Sequence, residues 1–105
     1  MRDYEIMFIV RPDVDEEGLK ASREKVQSII AEHDGSLTDE QDMGKRRFAY
    51  TIVQKQGNEP VKYNEGYYTV YNFKANTDVV AELNRVLNID DRILRHIVIN
   101  LDEEK

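Results

Sequence analysis

The apolar residues of this chain alternate between two periods, and the order of those periods constrains the fold more than any other feature. Over residues 2–10 the period is two, with Tyr4, Ile6, Phe8 and Val10 on one side and Met7 and Ile9 on the other. Both faces are partly apolar, as in a central strand. Pro12, with its fixed φ and missing N–H, stops the strand. Leu19, Ser22, Val26, Ile29, Ile30 and His33 then recur in helical steps and form one stripe. Asp13 or Asp15 is placed to cap that helix, Glu16 and Glu17 suit its first turn, and Gly35 is placed to end it in the left-handed conformation.

The period of two returns over residues 37–53, with a bulge or close backbone approach expected at Met43-Gly44, and again over residues 63–74. In the second of these, Tyr67, Thr69, Tyr71 and Phe73 share one face, and Tyr68, Val70 and Asn72 the other. Residues 54–64 hold Gly57, Asn58 and Pro60 and read as a polar loop at a hairpin tip. Asn76 or Thr77 caps a second helix, striped by Val79, Val80, Leu83, Val86 and Leu87, with Asn88 as its stop. A β-branched strand over residues 93–101 follows.

Strand, helix, strand, strand, helix, strand is the split βαβ order. Two right-handed crossovers place both helices on one face of a four-stranded antiparallel sheet and leave the other face open. The expected fold class is therefore α+β, a ferredoxin-like βαββαβ sandwich. A chain of 105 residues supports one such domain, over residues 1–101, with 102–105 as a short frayed acidic tail. Ile, Val, Leu and Phe make up 28 of the 105 residues, enough for a modest core under a heavily charged surface.

Charge separates the chain into zones. The net charge is −6, which by itself argues against nucleic acid. Residues 13–42, however, carry ten acids against three bases, whereas residues 43–74 carry six bases against two acids. A basic middle inside an acidic protein points to distinct partners on distinct faces. The absence of cysteine excludes a disulfide framework, a thiolate metal site and a cysteine nucleophile. No apolar run is long enough to cross a bilayer as a helix, and acidic residues stand where a signal peptide carries positive charge, so no membrane partner and a cytoplasmic location are expected.

No catalytic constellation emerges. His33 and His96 are far apart in sequence and read as structural, and no Gly-rich phosphate loop or nucleophile elbow is present. No metal site, cofactor or small-molecule substrate is expected. Gly44-Lys45-Arg46-Arg47 beside Phe48 and Tyr50 is the most suggestive run, since three cations neutralise phosphates and arginine adds a planar fork. Residues 65–72 echo the aromatic strand of RNA-recognition domains, but Glu65, Tyr68 and Thr69 depart from it and the tyrosines read as packing residues.

Three segments together resemble a known family. They are Arg2-x-Tyr4-Glu5-Ile6, the central Gly44-x-Arg46-Arg47-x-Ala49-Tyr50-x-Ile52, and Asp91-x-Ile93-Leu94-Arg95 leading into the last strand. In this order and over nearly the whole length they resemble the family of the sixth protein of the bacterial small ribosomal subunit. Phe48 stands where leucine is usual, Thr51 where proline is usual, and the loop over 54–64 is long. The resemblance implies a non-catalytic, ribosome-bound protein. It implies binding to the central domain of small-subunit ribosomal RNA as a heterodimer with the basic eighteenth protein of that subunit. On that reading Arg2, Lys45, Arg46 and Arg47 contact the RNA backbone, with Arg92 and Arg95 as weaker candidates. Tyr68 and Val70 belong to a strand edge or apolar face that docks the partner protein. Tyr4, Tyr50 and Tyr67 match the family pattern and are read as packing residues. The alternatives are a sheet-dimerising ferredoxin-like regulatory module that binds a small metabolite, and an acylphosphatase-type hydrolase, for which Arg11-Pro12-Asp13-Val14 supplies an arginine but no glycine.

Overall fold

In a computed structural model, which describes residues 2–101, the chain runs β1 (Arg2–Val10), α1 (Glu16–Glu32), β2 (Ser36–Gln56), β3 (Glu59–Ala75), α2 (Asp78–Asn88) and β4 (Ile93–Asn100). The tail expected over 102–105 lies outside the described residues. The strands form one antiparallel sheet in the order β2-β3-β1-β4. The expected α+β architecture is the one observed.

The alternation of β1 explains the layering. Tyr4, Ile6, Phe8 and Val10 are buried against the helices, where they join Val26, Ile29 and Ile30 of α1 and Val79, Leu83 and Leu87 of α2 in one core. Each large side chain taken fully from water contributes roughly 1.5–3 kcal/mol. Tyr4 stacks on Phe73 and Phe8 meets Tyr71 edge-on, each pair at 5.6 Å between ring centres. Arg23 of α1 reaches Thr69 (3.3 Å) and Asp42 (2.9 Å), and Gln27 donates to the Tyr71 hydroxyl (3.2 Å), so α1 is fastened to β2 and β3 by polar contacts as well.

The cap of α1 is Asp15, whose carboxylate accepts from the Gly18 amide at 2.8 Å. Its other end differs from expectation. Asp34, not Gly35, takes the left-handed conformation, with φ 59°. The Asp34 amide bonds to Ala31 O and the Gly35 amide to Ile30 O, a complete Schellman closure. Gly35 is required for a different reason, because a Cβ there would sit 2.6 Å from Lys74 O.

The β2–β3 hairpin is longer than the period suggested. Instead of a loop over 54–64, the strands pair as far as Gln56 and Glu59 around a two-residue Gly57-Asn58 turn, with Gly57 at φ 66° as a II′ turn requires. Pro60 is tolerated because β2 and β3 are an isolated pair there. The edge strand β2 carries three insertions. Thr38 and Met43 each make a one-residue bulge, and Gly44 follows the second with φ 71°. Most consequential is the third, where residues 48–51 stand opposite Asn64 alone. Beyond it the hairpin forms an arm with Ile52 and Tyr63 buried, and Gln54 Nε2 donates to Ile93 O at the start of β4.

Candidate nucleic-acid interface

The strand registers assign side chains to the open face. Met7 and Ile9 of β1, Tyr68 and Val70 of β3, and Arg95 and Ile97 of β4 lie on the side away from the helices, opposite the buried alternation. On β2, Arg46 faces the same way opposite Gly66. Gly66 has no room for a side chain, since a Cβ would lie 2.6 Å from Ile9 Cγ2, and Phe48 packs over it. Phe48 then meets Tyr68 at 5.8 Å. Burial and the neighbouring Tyr50 push the Tyr68 phenol above its ordinary range. Tyr68 and Val70, the expected partner-docking residues, are half-buried in the middle of this surface beside the half-exposed Ile97.

Of the six expected RNA-binding cations, the structure gathers four. Lys45, Arg46 and Arg47 are exposed on β2 where it pairs with residues 65–67, next to the end of β1. Lys45 leans to the helix side, 4.0 Å from Glu65 and over the Tyr67 ring. Arg46 lies on the open side, where its Nε donates to Met43 O at 2.8 Å. Arg95 joins them from β4, its guanidinium stacked 5.5 Å from the centre of the Tyr50 ring. The hairpin arm continues this basic end with exposed Lys55 and Lys62, which sequence reasoning did not single out.

Of the other two cations, one stands apart and one is already engaged. Arg2 pairs with Ala75 at the far end of β1, roughly 26 Å along the strand from Val10, and lines a groove with Asn76, Thr77 and Asp78 at the start of α2. Arg92 lies at the basic end but is held by Asp90, with Nε and a terminal nitrogen each 3.2 Å from the carboxylate.

Tyr4 is buried and Tyr67 half-buried, as packing residues should be. Tyr50 is not one of them. It is 61 % exposed, because the insertion over 48–51 lifts it out of the alternation that buries Ile52. No sequence signal marks the insertion, since its residues continue the period of the strand.

His96 Nε2 lies 3.0 Å from Asn84 Oδ1, which ties β4 to α2, and burial lowers its pKa. Among the described residues no cluster of histidine, aspartate or glutamate is arranged to hold a metal ion, and no helix is long and apolar enough to cross a membrane. A groove of about 440 Å³ between α1 and β2 is occupied at its rim by the Arg23–Asp42 ion pair. Arg11, the arginine of the hydrolase alternative, is paired with Asp13 at 3.1 Å.

A model of the family described as ribosomal protein S6 matches residues 3–100. The chain belongs to the ribosomal protein S6 family. It is 42 % identical over 100 residues to the small ribosomal subunit protein bS6 of Clostridium novyi (strain NT), a match that covers 95 % of this chain and 97 % of the relative. It is 46 % identical to the protein of the same name from Clostridium botulinum (strain 657 / Type Ba4), over 94 % and 97 % of the two chains. The crystal structure of 30S ribosomal protein S6 from Thermotoga maritima superposes with a TM-score of 0.82 at 34 % identity, over 97 % of this chain and 89 % of that one. Members of this family are structural components of the ribosome and not enzymes.

Proposed function

We propose that this small-subunit ribosomal protein binds the central domain of small-subunit ribosomal RNA as a heterodimer with the basic eighteenth protein of that subunit. As a ribosomal protein of the small subunit it acts in the cytoplasm, bound to the ribosome, with RNA and other ribosomal proteins as its partners. The observation that carries the finer reading is the polarised open face. Arg46 and Arg95 mark one end, with Lys45 and Arg47 beside them on the edge strand; Glu5 and Asp39 mark the other end, where Asp3 is paired with Lys74 at 3.7 Å; Met7, Val70 and Ile97 lie between.

In this reading Lys45, Arg46, Arg47 and Arg95 hold phosphate and sugar, and recognition follows the shape of a folded junction because A-form grooves hide base edges. Arg2 supplies a separate contact at the other end of β1. Arg92 acts by orienting the α2–β4 turn, since Asp90 already engages its guanidinium. The basic partner covers Tyr68, Val70 and the apolar middle and is drawn to the acidic end. Joining two weak RNA surfaces in one heterodimer raises their affinity through effective concentration.

The test is a titration of a central-domain RNA junction with the protein alone, and with the basic partner added, at two salt concentrations. Tight, salt-sensitive binding in the presence of the partner is expected. No binding to the junction under either condition, by protein shown to be folded, overturns the reading.

A further inference from the structure

Tyr50 is the most exposed aromatic side chain on the sheet, yet it is not loose. Arg95 lies against one face of its ring at 5.5 Å, and the Phe48–Tyr68 pair stands next to it. The insertion over 48–51 presents it there, at the end of the open face that also carries Arg46 and Arg95, with Lys45 and Arg47 alongside on the edge strand. A flat ring held from one side by a cation, 61 % exposed and at the same end of the sheet as Arg46, has the composition of a stacking platform for an unpaired base. The same cations disfavour a basic polypeptide at this end, which separates Tyr50 from the surface around Val70 and Ile97.

We infer that Tyr50, backed by Arg95, stacks on one unpaired nucleobase of the bound RNA. The inference rests on the RNA-binding reading above and adds a base contact to a surface otherwise read as gripping the backbone. Stacking accepts any base, so it contributes affinity and local geometry rather than strict sequence choice. It also carries no charge, so its contribution does not depend on salt, unlike that of the neighbouring arginines.

The experiment compares wild type, Tyr50→Phe and Tyr50→Val for binding to the central-domain RNA junction with the basic partner present, across a range of salt. Valine keeps the strand propensity and removes the π face, whereas phenylalanine keeps the π face and removes the hydroxyl. Affinity is expected to fall by roughly 5- to 150-fold in Tyr50→Val, the range of one base–aromatic stack, and to stay within about twofold in Tyr50→Phe. The slope of log K against log salt stays that of wild type in both, and affinity for the partner without RNA is unchanged. Wild-type affinity in Tyr50→Val overturns the inference. So does a fall accompanied by a shallower salt slope, which assigns the loss to a displaced phosphate contact, or a loss of partner affinity instead. Failure of wild type itself to bind the RNA overturns the underlying reading and this inference together.

Discussion

Asp90 is the residue at which α1 and the turn between α2 and β4 are joined. Its side chain is 5 % exposed, and it accepts from Lys25 Nζ at 3.0 Å, the Arg92 amide at 2.9 Å and the Arg92 guanidinium. Burial pushes its carboxyl up, but the Arg92 side chain and backbone and then Lys25 outweigh burial and hold its pKa at about 2. A carboxylate depressed on folding contributes stability that is fully present above its unfolded pKa, here 3.8, and is lost as pH falls through the folded one. The contribution is about 2 kcal/mol near neutral pH, withdrawn between pH 4 and 2. Urea unfolding across that range should show the decline in wild type. In Asp90→Asn stability should start about 2 kcal/mol lower near pH 7 and lose this part of its acid dependence. The sequence displayed Asp90-Asp91-Arg92 but not the link to Lys25, 65 positions earlier. Arg92, read from the sequence as a weaker RNA contact, is engaged instead by Asp90 only two positions away.

At the scale of elements, the strands and helices were legible because each buries one face, and a buried face leaves a period in the sequence. What left no period was not legible. The three insertions in β2 preserve a run of strand-forming residues while shifting which of them point inward, so the alternation of Phe48, Tyr50 and Ile52 suggested one shared face where the structure buries only Ile52 among them. The hairpin arm was hidden in the same way, since Gly57, Asn58 and Pro60 mark a turn without saying how far the strands pair around it. The glycines give this account a measurable form. Gly35→Ala and Gly66→Ala place a Cβ 2.6 Å from neighbouring atoms, with backbone oxygen within 2.8 Å in both cases, so each should cost about 3 kcal/mol or more. Gly44→Ala meets nothing within 4 Å and costs only its positive φ, about 1 kcal/mol. Denaturation midpoints of the three variants should fall in that order, and a Gly44→Ala variant as damaged as Gly35→Ala would contradict the packing described.

For the whole molecule, two surfaces on opposite sides of one sheet have separate tasks. The helix-covered side holds the core. The open side runs from acidic residues through an apolar middle to a basic end, a pattern that reconciles a net charge of −6 with binding to RNA. The charge zones along the chain already pointed to two partners, because residues 43–74 are basic and contiguous. That Arg2 stands apart from Lys45, Arg46 and Arg47, whereas Arg95 joins them, depends on strand order and register, which a linear charge count does not contain.

The central claim is that the edge of β2 grips phosphate, and the salt dependence of RNA binding by Arg46→Ala/Arg47→Ala tests it most directly. Neither arginine supports the core, so the double variant should unfold at the wild-type midpoint. With the basic partner present, its binding to the central-domain junction should weaken, and the slope of log K against log salt should become shallower by about one to two units. A slope equal to that of wild type in a folded double variant would contradict the account.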